Sequence, residues 1–323
     1  MKKLAAITLS AALCCLAWAD DSKSGLGAAN AALQEGNADA ALAALSSLPQ
    51  PLANSASAHN LRCRIFYTLQ QWDAAEGECE VATNLDGQNS DFHLWHGRTL
   101  GERAERASFV TAFALAKRTR EEFEQAVQLN PRNAEALADL GEFYNSAPGV
   151  VGGRVDKAES VAAQLDKVDS ARAYQLRGTI AEGRKDFASA ENAFRQAIAA
   201  SAHPAFQWMS LASFYRRRAR WQEMETAVHN GLAAAERDKH SGVALYNGAS
   251  VLIQANRDPD LAARMLEAYL VSNSKTEEGP AFVAHVWLAR LNAQRGDSAA
   301  AHQQRAAALA LATGYKPAEE LKN

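Results

Sequence analysis

Apolar residues recur along this chain at helical spacing, with the same order of sizes most clearly over 119–221. Between Thr119 and Tyr144, Phe123 and Ala126 lie three apart, Pro131 follows, and Leu137, Leu140, Gly141 and Tyr144 come next. Phe187, Ala190, Phe194 and Ala197 repeat the spacing after Gly178, and Trp208, Leu211, Ala212, Tyr215 and Trp221 repeat it again. Leu288, Ala289, Gly296, Asp297, Ala301 and Ala308 carry it to the C-terminal end; Gly36, Asn37, Ala41 and Gln71, Trp72, Ala75 mark helix junctions near the start. Spacings of three, four and seven place these residues on one helix face. Runs of alternating Val, Ile and Thr are absent, so the pattern predicts helices alone. Gly178 to Ala212 is one period of 34 residues, the signature of a helical-repeat array.

A large residue, then Leu-Gly and Tyr on a first helix, with Ala, Phe and Ala on a second and Pro closing the unit, is the pattern of the tetratricopeptide repeat. On residues 119–221 above all, the chain resembles that family. The resemblance implies an all-α solenoid of about eight helical hairpins wound into a right-handed superhelix. Spans of 24–48, 56–87, 91–130, 133–168, 171–201, 204–236, 241–272 and 280–313 follow. Two units depart from the pattern. In the third, Asp91–Arg103 and Lys117–Leu129 read as the paired helices with an insert at 104–118 between them, and Trp95-His96-Gly97 departs from the usual Leu-Gly placement. In the fourth, Ala147-Pro148-Gly149-Val150-Val151-Gly152-Gly153-Arg154 widens the turn, since one Pro and three Gly break any helix. Small residues let two helices approach, large ones fill the groove toward the next hairpin, and stability is then mostly a nearest-neighbour sum.

The N-terminus changes the picture of where the chain works. Lys2 and Lys3 precede an apolar run, Leu4 to Trp18, that closes in Ala17-Trp18-Ala19. About 15 apolar residues fall short of the roughly 20 needed to span a bilayer, and the pattern is that of a secretory signal peptide over residues 1–19. The single solenoid domain is then expected over 20–315, with a C-terminal tail at 316–323, in a periplasmic or secreted protein without a membrane span. The formal net charge of −3 becomes about −5 without the two lysines, which excludes the basic stripe of a nucleic-acid binder. Of four cysteines, Cys63 and Cys79 lie outside the signal. In an oxidising compartment they form a possible disulfide, with Cα atoms expected under 7 Å apart.

Candidate chemistry is sparse. His93 and His96 share a helical face within reach of one metal, but no third ligand stands at a matching spacing. The 147–154 loop lacks the Gly-Lys-Ser/Thr ending of a phosphate loop. No nucleophile, general acid/base pair or cofactor motif appears, so no enzyme activity, cofactor or metal is expected. In the resembling family the first helices line the concave face. Aligned on the small-residue position, that face takes Asn60, Arg64 and Tyr67 from the second hairpin, Arg98 from the third, and Glu142 and Asn145 from the fourth. It takes Arg172, Gln175 and Glu182 from the fifth; Phe206, Met209, Arg216 and Arg217 from the sixth; and Arg290 and Gln294 from the last. Recurring arginine suits carboxylates. The expectation is therefore an interaction scaffold holding a protein or extended peptide, with an anionic segment favoured unless these arginines are paired with neighbouring Glu and Asp. The alternative is a small-ligand carrier with a pocket between the 104–118 insert and the 147–154 loop.

Overall fold

The structure, a computed structural model, describes residues 25–238 and 240–321, and every regular element among them is helical. The expected signal peptide lies outside the described residues. Eight antiparallel hairpins follow one another, close to the expected spans. The first pairs α1 (25–34) with α2 (Ala38–Ser46), and a short α3 (Gln50–Ala53) leads to the second, α4 (Ala56–Thr68) with α5 (Trp72–Leu85). Then come α6 (Ser90–Arg106) with α7 (Phe109–Leu129), α8 (Ala134–Ser146) with α9 (Val155–Leu165), and α10 (Ser170–Gly183) with α11 (Phe187–Ala200). The last three are α12 (Ala205–Arg217) with α13 (Trp221–Ala235), α14 (Gly242–Ala255) with α15 (Pro259–Val271), and α16 (Ala281–Gln294) with α17 (Ser298–Leu311). A four-residue α18 (Lys316–Glu319) follows. The fold is an α-solenoid of tetratricopeptide-type hairpins.

One turn recurs at the hairpin tips. Gly36, Gln70, Lys185, Ala219 and Gly296 all have positive φ. Each ends its first helix with the same pair of hydrogen bonds: Gly36 N–H donates to Leu33 O, and Asn37 N–H reaches back to Ala32 O. The next residue often caps the second helix, as Asn37, Asp186 and Asp297 do by accepting from the amides of Ala40, Ser189 and Ala300. A left-handed C-cap followed by an Asx N-cap reverses the chain in two residues. Glycine packing sets the approach of the helices. A Cβ on Gly141 would stand 2.3 Å from Leu176, and one on Gly97 2.6 Å from the Phe123 ring. Ala29, Cys63 and Gly97 occupy the same small position 34 residues apart and are buried, so the third unit is in phase at its start.

Its extra length is not an insert. Residues 104–118 continue α6 and open α7, leaving only Ala107 and Ser108 as the connection. Leu115 and Thr119 are buried, while Phe109 and Val110 project from the tip at 88% and 79% exposure. The 147–154 segment forms a 3-10 turn, Gly149–Val151, that folds back on its own hairpin. Arg154 N–H donates to Tyr144 O, and Arg120 donates to Val151 O. A Cβ on Gly153 would lie 1.7 Å from Ala147 O, so glycine there is a steric requirement of the turn. The described part of the C-terminal tail, 316–321, begins with α18, whose Ala318 is buried and accepts from Arg305 of the last hairpin.

Ala219 holds φ +55° with a Cβ that clashes in that region, at a cost of about 1–2 kcal/mol. Glycine would relieve this and lose part of the gain to the freer unfolded chain. Ala219→Gly is therefore expected to raise the unfolding free energy by roughly 0.5–1 kcal/mol. A urea midpoint below that of the parent would contradict it.

Candidate functional site

The superhelix returns on itself. The loop between α15 and α16 and the end of the eighth hairpin meet the first two hairpins. Glu277, in that loop, accepts from Arg64 Nε at 2.9 Å and Nη2 at 2.5 Å, and from Gln34 Nε2 at 3.0 Å. Arg64 also donates to Asn30 Oδ1 at 3.1 Å. Lys275 pairs with Glu35 at 3.0 Å, Thr313 N–H donates to Asp39 at 3.0 Å, and Gln71 donates to Gly314 O at 3.2 Å. Gly36 presses on Ala281, where a Cβ would stand 2.2 Å from the backbone nitrogen. One buried apolar cluster contains side chains of the first two hairpins together with those of the fifth to eighth.

Closure leaves the concave face as a central channel holding two cavities, both open to solvent. One, of about 800 Å³, is lined by Asn60, Arg64, Trp95, Glu135, Arg172 and Glu277 among others. The second, of about 690 Å³, lies along the seam. Trp95 and Glu277 border both and form the partition between them. The second cavity gathers Tyr67, Trp72, Trp95, Tyr246, Trp287 and Tyr315. Tyr67 stands edge-on to Trp72 and Trp95 at 5.3 and 5.5 Å, and Trp287 stacks on Tyr246 at 4.6 Å. The guanidinium groups of Arg64 and Arg98 lie over Trp95 at 5.5 and 4.7 Å. The indole N–H groups of Trp72, Trp95 and Trp287 make no hydrogen bond among the described residues.

The expected groove residues divide between pairs and cavity walls. Arg64 and Arg172 line the first cavity, Tyr67, Arg98 and Arg290 the second. Most of the arginines are already engaged. Arg98 pairs with Asp139 at 2.6 Å and Glu135 at 3.1 Å, Arg217 with Glu182 at 2.7 Å, and Arg172 with Asp169 at 3.3 Å. Glu142 accepts from Thr179 at 2.8 Å, and Asn145 stands beside Gly183. Arg216 keeps a buried Nε without a partner among the described residues, and Gln175 is half-buried. Met209 is not in the groove: it is buried, with its thioether against the positions of Gly231 and Gly248. Neither cavity is lined by both 104–118 and 147–154, because the first is mostly helix and the second is folded onto Arg120.

The inner wall is therefore not the cationic surface expected from the arginines. Burial, reinforced by Glu135, holds the Asp139 carboxyl above the usual carboxylate range against the pull of Arg98. Burial raises Glu142 as well, with Asp139 and Glu182 adding to it. Glu278 is reached by solvent yet walled in by protein across the channel, and desolvation together with Glu135 pushes it up. Sequence reasoning missed Trp95 as a wall residue, along with Glu277, Glu278, Tyr246, Trp287 and Tyr315. Trp95 carried a signal, since it directly precedes the small position of α6. Glu277 and Glu278 carried none, being loop residues whose partners come from the other end of the chain.

Elsewhere, the Sγ atoms of Cys63 and Cys79 are joined across the second hairpin, with Cα atoms 5.2 Å apart. Among the described residues no helix is long and apolar enough to cross a membrane. No protein-family model matches the chain, and comparison with curated proteins returns no match. Solved structures with a similar course include a thermophilic tetratricopeptide-repeat protein of Thermus thermophilus, 22% identical over 67% of this chain and all of that one, at a TM-score of 0.43. The C-terminal part of a repeat-containing protein of Cytophaga hutchinsonii is 15% identical over 92% of this chain and all of its own, at 0.41. PilF of Pseudomonas aeruginosa is 14% identical over 72% of this chain and 95% of its own, at 0.37.

His93 and His96 do find a third group, Glu122 on the facing helix. His93 Nδ1 lies 2.6 Å from one carboxylate oxygen and His96 Nδ1 3.1 Å from the other. Burial alone would raise Glu122, but the two imidazoles outweigh it and hold it at about 2. The Glu122 hydrogen bond raises His93 above its ordinary 6.5. The raised histidine stabilises fully below 6.5 and loses its contribution as pH climbs through its folded value. The depressed carboxylate stabilises above about 4.5 and loses its contribution toward 2. The stability difference between the parent and His93→Gln is thus expected to be largest near pH 5–6 and to shrink toward pH 8. A difference that stays constant across that range in urea melts would contradict the pairing.

Proposed function

We propose that this chain is a protein-binding scaffold of the cell envelope that holds an extended peptide segment of its partner in the central channel. The observation that carries this reading is the pair of open cavities meeting at Trp95 and Glu277, brought side by side where the ends of the superhelix touch. Trp and Tyr rings offer large apolar area at low entropic cost, and their polar tips can bind backbone carbonyls. Extended segments dock in such aromatic-lined grooves. Because most of the groove arginines are already paired with carboxylates, while Glu278 faces the channel without an ion-pair partner among the described residues, the segment is neutral or cationic rather than anionic.

The envelope location rests on the Lys2-Lys3 start, the apolar run and Ala17-Trp18-Ala19. The Cys63–Cys79 bond suits an oxidising compartment. A binding role, without catalysis, fits a site made of ion pairs and aromatic walls. A second reading keeps one specific support. The seam cavity, about 690 Å³, has the size of small-molecule sites, so a carrier of a flat, ring-containing ligand is the alternative. Its pocket would lie at the seam instead of between the 104–118 and 147–154 segments.

Glu278 is exposed and without an ion-pair partner among the described residues, and Trp287 is half-buried. The double variant Trp287→Ala with Glu278→Lys should keep the melting behaviour of a folded solenoid. It should capture the partner from envelope extract at least tenfold less well, as loss of an aromatic hot spot does. Undiminished capture of the same partner would remove the channel as the binding site.

A further inference from the structure

One cluster of side chains serves neither the core nor the channel. It lies where the connection between the fifth and sixth hairpins stacks on that between the sixth and seventh. His203 belongs to the short link before α12, and Asp238 and His240 to the link between α13 and α14. The repeat itself brings them together, since Asp238 follows His203 by one period and one residue. Their nitrogen and oxygen donors all lie within 4.8 Å of one another. His203 Nδ1 is 2.5 Å from Asp238 Oδ2, and His240 Nδ1 is 3.4 Å from Asp238 Oδ1. Each carboxylate oxygen thus faces a different imidazole, and the two rings stand edge to face with centroids 5.6 Å apart.

We propose that His203, Asp238 and His240 form a binding site for a divalent transition-metal ion of the zinc type. Three observations carry it. The donor set is two imidazoles and one carboxylate, which suits zinc and its neighbours. Calcium and magnesium would want oxygen donors throughout. The carboxylate is anchored: its side chain is 17% exposed, and Oδ1 accepts the His240 backbone N–H at 2.9 Å. Ser201 Oγ likewise accepts the backbone N–H of His203 at 3.1 Å, fixing the other link. The imidazoles, by contrast, are 62% and 65% exposed. Exposed rings can swing: donors roughly 2.0–2.1 Å from a tetrahedral ion stand about 3.3 Å apart, so His203 Nδ1 withdraws from the carboxylate by about 0.8 Å to admit it. Three protein ligands leave a fourth position open to water or to a donor from a partner, the arrangement of an accessible site rather than a closed structural one. A bound ion would clamp two successive inter-hairpin links together, stiffening the solenoid at its sixth unit. The site stands apart from the channel, so it does not depend on the peptide-binding reading.

The chain has eight histidines, so the test must separate this site from adventitious binding. Metal-free full-length protein is titrated with zinc by calorimetry, beside His203→Ala, His240→Ala, Asp238→Asn and His229→Ala, the last an exposed histidine outside the cluster. One equivalent with a dissociation constant below about 10 μM is expected for the parent and for His229→Ala. Each of the three cluster variants should weaken it at least thirtyfold. Zinc at a hundred times that constant should raise the melting temperature of the parent by about 5 °C and leave His203→Ala unmoved. Unchanged circular dichroism in the histidine variants shows that the fold is intact. Binding retained by both histidine variants would mean an adventitious ion only and would overturn the assignment. So would an equal response of the parent to calcium.

Discussion

Glu277 holds the two ends of this solenoid together. Its carboxylate takes both a guanidinium fork from α4 and an amide from α1, across 213 and 243 residues of sequence. The arginine and glutamate side chains are 17% and 11% exposed, so neither keeps its full hydration. Such a pair is not a large net source of stability, because desolvation opposes attraction. Removing one partner, however, strands the other charge and typically costs about 3–5 kcal/mol. Its role is to fix geometry. The bidentate fork and the Asn30 and Gln34 contacts admit one relative placement of the first and last hairpins, and that placement makes a channel of what would otherwise be an open concave face.

A solenoid without such a contact is a one-dimensional stack, in which each hairpin answers only to its neighbours. Here the eighth hairpin answers to the first and second as well. Apolar burial runs through the seam, so the terminal units lose the fraying expected of capping repeats. The same closure draws Tyr67, Trp72 and Trp95 from one end of the chain opposite Tyr246, Trp287 and Tyr315 from the other. The aromatic cavity exists only because the ends meet. What the chain can hold is thus set by a long-range polar contact, while what keeps each hairpin folded is the local interlock of Gly97 with Phe123 and Gly141 with Leu176.

The hairpins were legible in the sequence because their signals are local: small and large residues at fixed offsets, and Asn or Asp after a tight turn. Cys63 and Cys79 were legible for the same reason, sitting on facing helices of one unit. The 104–118 stretch misled because it lacks the repeat's large-small pattern. Its Ala, Glu, Arg and Phe are nonetheless good enough helix residues to lengthen both neighbours, and few of them are buried. The groove register placed Arg64, Tyr67, Arg98 and Arg172 on cavity walls, but it carried Met209 into the groove when close glycines draw it into the core. The seam was illegible. Glu277 sits in a loop, outside any period, and nothing near it in sequence names Arg64 as its partner. The His203, Asp238 and His240 cluster hid in the same way, split between two connections whose stacking only the fold reveals.

Closure itself can be measured directly. Nitroxide labels at the exposed positions Ala40 on α2 and Lys316 on α18 lie on opposite sides of the seam. Pulsed dipolar spectroscopy on the full chain should give one narrow population within roughly 25 Å, the span of helices in contact plus the label arms, and Glu277→Ala should broaden it toward longer distances. A broad, long distribution in the parent chain, indifferent to that substitution, would mean an open superhelix and would contradict the account.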